Sequence, residues 1–358
     1  MPKNKKLLVA LSILPQILLM KWLSTYPNFV ESYYSEGVYP YISKLFRYVF
    51  GWLPFSFGDI FYAFAIIYML RWLILNIRRV KYNFKGFLID VFSAISMIYL
   101  AFHVLWGLNY YRLPLHENLN INADYTTEEL ISTTEKFIVE ANTIHLSITQ
   151  DSTQKVVSPY ANKEVFKKVP EGFHQLKTEF PSLDYYPKSI KNALFSLPLT
   201  YMGFSGYLNP LTGEAHVDYL VPSFKIPMIS SHEVAHQLGF AAENEANFIG
   251  VLAATKHPDK YFKYSGTIFA LKHCLVEVYR RDPDTYEVLK TQVNVGILKN
   301  YQELQEFWDG YENPFESIFK TTYDGFLKVN NQTDGMKSYS YVVALLVNYF
   351  ENQNVKAN

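Results

Sequence analysis

The 358-residue chain has a single cysteine, Cys274. It therefore holds no intrachain disulfide and no cysteine-ligated zinc site, although this does not identify a compartment. Charge is also scarce. Only 18% of residues are charged, 33 basic residues balance 33 acidic ones, and no basic stripe stands out, which argues against a nucleic-acid partner. There is no internal repeat, low-complexity tract or sustained heptad, so solenoids and coiled coils are excluded.

What the chain has in quantity is apolar and aromatic side chains, at 49% and 17%, with the excess at the front. Leu7 to Leu23 is interrupted only by Ser12, Pro15, Gln16 and Lys21. Phe55 to Leu75 carries Asp59 and Arg71 near its ends, and Phe87 to Leu108 carries Asp90 and His103. Each run approaches the roughly 20 residues that cross a bilayer. Trp22, Trp52, Trp72 and Trp106 sit near the ends of the runs, as interfacial aromatics do. A basic, apolar start also describes a signal peptide, but no small-x-small cleavage site follows, so an anchor is expected.

Positive charge suggests an orientation. Lys3, Lys5 and Lys6 precede the first run, and Arg78, Arg79, Lys81 and Lys85 fill the link between the second and third. By the positive-inside rule both belong in the cytoplasm. The 24–54 loop and everything after Leu108 then lie outside. The 358 residues could make two ordinary domains, and from Asn109 the chain reads as a soluble domain of about 250 residues. Thr126 or Thr127 caps a helix there, with Glu128 and Glu129 in its first turn. Helical patterns follow over Tyr261–Arg281, Thr285–Phe307, Pro314–Val329 and Val342–Phe350.

The chemistry is concentrated in His232-Glu233-Val234-Ala235-His236. On a helix, residues four apart share a face, so both imidazoles can aim at one Zn²⁺. Glu233 then lies by the metal's open side, where it can take a proton from water and deliver it to a leaving amine. Pro227 and Ser230 or Ser231 would start this helix, and Gly239 would help end it. A catalytic zinc needs a third protein ligand, and Glu243 or Glu245 can supply it. On an unbroken helix Glu243 would sit roughly 10 Å beyond His236. The chain must therefore turn near Gly239 to bring it back.

Upstream, Glu214 to Tyr219 alternates polar and apolar, as a half-buried strand does. Glu214 and His216 are candidates to line a cleft edge that pairs with extended substrate, while Asp218 reads as solvated. Tyr339, before the last helix, is the candidate oxyanion donor. His103, His116, His145, His174, His257 and His273 show no ligand spacing and read as structural or exposed.

Glu243-x-x-Ala246-Asn247 resembles the second motif of glutamate-type zincins. That resemblance implies Glu243 as third ligand and Asn247 as the residue orienting a ligand histidine, with Asn here in place of the commoner Asp. Nearly the whole chain also resembles an uncharacterised membrane-protein family, domain of unknown function 3810. The matching pieces are Pro54–Asp59, Trp106–Arg112, the metal segment, Phe326–Asn330 and Ser338-Tyr339. This implies three spans, an H-E-x-x-H domain and a bacterial envelope home, and it names no substrate.

The expectation is an α+β chain with three transmembrane helices (about 7–23, 55–75 and 87–108) in a membrane domain, residues 1–108. A mostly helical zincin-like domain with a small sheet, residues 109–358, would face the extracytoplasmic side of the bacterial inner membrane. The expected activity is zinc-dependent hydrolysis of a peptide or protein substrate, with His232, His236 and Glu243 on the metal and Glu233 and Tyr339 catalytic. Alternatives are a non-catalytic zinc-binding envelope protein and an amidase acting on cell-wall peptides.

Overall fold

The computed structural model describes residues 3–332 and 341–357. Three helices are long and apolar enough to cross a membrane: Asn4–Leu23, Phe57–Asn76 and Phe84–Leu105. At 1.5 Å per residue, 20 residues reach about 30 Å, the thickness of a hydrocarbon core. Most of their side chains face outward, including Leu18, Leu70 and Ile74. The third helix stops at Leu105, short of the expected Leu108, because Gly107–Tyr111 winds into a tighter turn.

Polar contacts set how the spans pack. Lys6 Nζ and Arg79 Nη1 meet the Asp90 carboxylate at 2.6 and 2.8 Å. Six residues further along both helices, Ser12 Oγ lies 2.9 Å from Ser96 Oγ, and Gln16 Nε2 donates to the same hydroxyl at 3.0 Å. Matching offsets mean that the first and third spans run parallel, as three successive crossings require. Both basic clusters flagged in the sequence thus share one end of the bundle.

The segment between the first two spans is helical. Tyr39–Phe50 buries Tyr39, Ser43 and Arg47, spaced four apart on one face. That face docks on the C-terminal half of the chain.

The remaining residues build a helical assembly around a three-stranded sheet. Helices Thr127–Thr149 and Lys260–Arg281 pack along each other, and Phe173, Phe248, Phe262 and Tyr264 are fully buried in the same core. Thr126, rather than Thr127, caps the first of these helices in a reciprocal box with Glu129. The pattern expected as one helix over Thr285–Phe307 is two, Pro283–Gln292 and Val295–Asp309. Asn294, which breaks it, donates its amide to Asn142 Oδ1 at 2.9 Å.

In the sheet, β1 (Ile190–Asn192) runs parallel to β3 (Glu214–Val217), and β2 (Gly206–Asn209) pairs antiparallel on its other side. Since β3 is central, it cannot be the cleft edge expected for it; β2 is. Glu214, His216 and Asp218 are all fully buried. Glu214 accepts the Gly58 and Phe57 amides at 2.5 and 3.2 Å and pairs with Lys191 at 2.5 Å. His216 Nε2 meets Ser56 Oγ at 2.7 Å, and that hydroxyl caps the second span by accepting from Asp59 N. Asp218, read as solvated, instead accepts from Thr200 Oγ1 at 2.6 Å and Leu220 N at 2.9 Å. The alternating strand thus turns its polar face toward the free amides of a helix N-terminus, which a carboxylate satisfies as water would.

Candidate metal centre

The helix Ile226–Gln237 carries the two motif histidines and is buried nearly throughout. It starts four residues before Ser230, with Pro227 in its first turn; Ser231, expected as a cap, instead donates to Pro227 O at 2.9 Å. An earlier start lets Ser231 bond within the helix and leaves the proline where its missing N–H costs nothing, while the buried Ser230 hydroxyl has no partner.

At the other end, Gly239 takes φ +95°, and Phe240 N returns to Ala235 O at 3.1 Å. This is a left-handed helix cap, and a side chain at Gly239 would be strained. The turn sends the chain into a second helix, Glu243–Thr255.

Much of the first helix's C-terminal end is satisfied from the front third of the chain. Trp106 Nε1 donates to His236 O at 3.0 Å. Tyr39 Oη and Ser43 Oγ donate to Gln237 O at 2.9 and 2.6 Å. Arg112 Nη1 donates to Gly239 O at 2.9 Å while its guanidinium forks onto buried Glu31 at 2.5 and 2.9 Å. Each such bond is worth about 1 kcal/mol, and more where it is charged.

The two helices bring three donors together. His232 Nε2 and His236 Nε2 are 3.1 Å apart, and Glu243 Oε2 lies 3.3 and 3.6 Å from them. His236 is oriented by Nδ1, which donates to Phe240 O at 2.7 Å and leaves Nε2 facing the cluster. Burial lowers the His232 imidazole overall, and Glu243 and the neighbouring Asn247 side chain oppose it. Glu243 Oε1 accepts from Tyr323 Oη at 2.5 Å, which directs Oε2 toward the histidines. Gly250 allows the close approach, since a Cβ there would lie 3.0 Å from His232 N.

Among the described residues, this is the one group of three or more such side chains suited to a metal. Four ligands placed tetrahedrally at zinc distances of about 2.0–2.1 Å are separated by roughly 3.3–3.4 Å. The observed 3.1, 3.3 and 3.6 Å match that edge. Glu245 is not in the cluster; its Oε1 accepts the Leu115 amide at 2.7 Å. Tyr339 lies outside the described residues, and Tyr323 is the tyrosine found at Glu243.

The electrostatics fit a cation site. Burial disfavours charge on every member, but Glu243 outweighs it at His236 and lifts that imidazole to about 9. Burial likewise opposes charge on Glu243, yet the two histidines hold it well below the usual carboxylate range. A carboxylate balanced by a protonated imidazole is an arrangement in which a divalent cation replaces the proton. Burial pushes Glu233 up to about 8; His236 opposes this and Glu243 reinforces it.

Glu233 itself is pressed under β2. A Cβ on Gly206 would lie 2.6 Å from Glu233 Oε1, while Oε2 is buried without a hydrogen-bond partner. All four side chains open into a cavity of about 730 Å³. Its walls include Gly206, Tyr207 and Leu208 of β2, as well as His273, which spacing alone had set aside. A neighbouring cavity of about 830 Å³, with Lys225, Lys272 and Arg280 in its wall, adjoins it but contains none of the cluster.

Fold and site together define a mostly helical chain with three apolar helices of membrane-crossing length and a buried His-His-Glu cluster between two helices. The chain belongs to the family described as protein of unknown function (DUF3810), which it matches over residues 34–347. Comparison with curated proteins and with solved structures found no match.

Proposed function

We propose that this protein is a membrane-anchored zinc-dependent peptidase of zincin-like design. The observation that carries the reading is the set of three donor atoms at 3.1, 3.3 and 3.6 Å, with Glu233 beside them in the same cavity. Structural zinc sites are closed by four protein ligands, whereas catalytic ones keep a position open. Three donors facing a cavity favour the catalytic kind, and so favour hydrolysis over a purely zinc-binding envelope protein.

Bound there, zinc supplies Lewis acidity toward a peptide carbonyl and toward water. The chain's own residues do the rest. His232, His236 and Glu243 hold the ion, with Tyr323 and Asn247 fixing their orientation. Glu233, whose buried Oε2 has no partner, takes a proton from water and returns it to the departing amine. The outer edge of β2 is positioned to align an extended peptide beside it.

The two basic clusters at one end of the spans, with the donor cluster toward the other, support a cytoplasmic end and an extracytoplasmic site. A bacterial inner membrane is the setting this implies.

The test is full-length protein, assayed for bound metal and for cleavage of a peptide library. Wild type is expected to hold one zinc and cleave. Glu233→Gln should keep the zinc and lose at least a hundredfold in turnover, and His232→Ala should lose the metal. Undiminished cleavage by Glu233→Gln would overturn the assigned role, and absence of bound zinc in wild type would overturn the class.

A further inference from the structure

The cavity does not end at the metal ligands. Part of its wall is a face of the second span: Asp59, Tyr62 and Ile66, spaced three and four apart. Phe102, near the end of the third span, contributes from the other side. From Asp59 to Ile66 is seven residues, so the slot descends about 10 Å along the span.

Opposite that face lies the short helix Ser196–Tyr201, which lines the slot with Pro198 and Leu199. It is tied to the first turn of the span, because Leu194 N donates to Asp59 Oδ2 at 2.7 Å. Around this tie Leu194, Phe195, Leu197 and Tyr201 are 42–50% exposed, an apolar collar level with the start of the span. Apolar side chains clustered at that level suit contact with a membrane surface. Ile66, half exposed at 51%, marks where the slot opens sideways toward lipid.

A site with a polar hydrolytic end and an apolar slot along a membrane span is shaped for a molecule with the same two parts. A helical peptide anchor is about 10 Å across. The two walls of the slot are joined at its head by the bond from Leu194 N to Asp59 Oδ2, so a helix would have to force them apart. An acyl chain is thin enough to lie between them.

Building on the peptidase reading, we infer that the substrate is a lipidated peptide, with its acyl chain lying in the slot between the second span and the helix Ser196–Tyr201. The scissile bond then sits just above the membrane surface, close to the acylated residue.

The experiment uses full-length, zinc-loaded protein in phosphatidylethanolamine/phosphatidylglycerol liposomes. One peptide mixture is offered in three forms: free, palmitoylated, and fused to a hydrophobic twenty-residue helix. The helix-anchored form controls for concentration at the membrane surface. Palmitoylated peptide should be cleaved at least tenfold faster than either other form. Ile66→Trp should abolish that preference, whereas Phe64→Trp, on an outward face of the same span, should leave it.

Equal cleavage of the two anchored forms, or a preference untouched by Ile66→Trp, overturns the lipid slot and leaves the peptidase intact. If no form is cleaved the peptidase reading fails, and a second readout decides the slot. Glu233→Gln protein is photolysed with palmitoyl-peptide carrying a diazirine in its acyl chain. Adducts confined to residues 59–66 and 195–202, and displaced by unlabelled lipopeptide, support the slot. Adducts spread evenly over the three spans overturn it.

Discussion

Gly206 offers the sharpest probe of the site, because it supplies no metal donor yet lies directly against the Glu233 carboxylate. A methyl group there would lie 2.6 Å from Glu233 Oε1 and 2.7 Å from His216 O. Ordinary contact requires about 3.4 Å, so Gly206→Ala must displace the carboxylate, the strand, or both by about 0.8 Å in total. Displacements near 1 Å at a reacting group cost on the order of a hundredfold. Turnover should therefore fall ten- to a hundredfold, or about 1.4–2.7 kcal/mol on the barrier. Overpacking should also cost about 1–3 kcal/mol of stability. Zinc content should stay at wild-type level, since the three donors are on other elements.

The assay is cleavage of a quenched fluorescent peptide mixture, with metal measured by mass spectrometry and folding by thermal melting. A double-mutant cycle makes it decisive. If Gly206→Ala acts by moving Glu233, then Gly206→Ala/Glu233→Gln should be no slower than Glu233→Gln alone. Multiplicative losses, or wild-type turnover in Gly206→Ala, would refute the placement of Glu233 as the proton carrier beneath this strand.

Three further outcomes follow from the structure. Tyr323→Phe removes the 2.5 Å hydrogen bond to Glu243 and should weaken zinc affinity about ten- to a hundredfold in competition with a chelator, with the fold unchanged. Lys191→Met strands the buried Glu214 carboxylate and should cost about 3–5 kcal/mol, read as a lowered melting temperature; Lys191→Met/Glu214→Leu should cost less. Asp259 caps the helix Lys260–Arg281 and stays ionised below the usual carboxylate range. Burial works against its charge, but the Tyr160 hydroxyl, the Tyr261 amide and Lys168 outweigh it. Its depressed value means that the stabilisation is present above about pH 4 and fades as pH falls through the folded value. Asp259→Asn keeps a capping side chain but loses the charge facing Lys168, so it should cost about 0.5–1 kcal/mol at pH 7, and the gap to wild type in urea melts should close in acid.

Much of this arrangement was legible in the residues. Apolar runs near 20 residues announce themselves by length, and Thr126 with Glu129 marks a helix start by local chemistry alone. The motif histidines follow from helical spacing, and a turn at Gly239 is demanded by the distance to Glu243. What remained hidden depends on contacts distant in sequence. Glu243 and Glu245 are alike on paper; they part because one faces His232 and the other the Leu115 amide. Tyr323 is one of 29 tyrosines, and no spacing links it to a residue 80 positions away. Glu214 and His216 alternate as a solvated strand would, since a pattern of polarity does not distinguish water from a helix N-terminus. The helix Tyr39–Phe50 lay in a stretch read only as a loop, and its role emerges from Gln237, nearly 200 residues later.

The hydrogen bonds from Tyr39, Ser43 and Trp106 bear on how this protein can be handled. A fragment beginning after Leu108 would be a tempting water-soluble version of the protein. It would leave the backbone oxygens of His236 and Gln237 without these donors, right where one histidine of the His-His-Glu cluster sits. The front third of the chain is thus a structural support of the cluster rather than a tether, and on the peptidase reading detaching the two should yield a protein that holds metal poorly even if it folds.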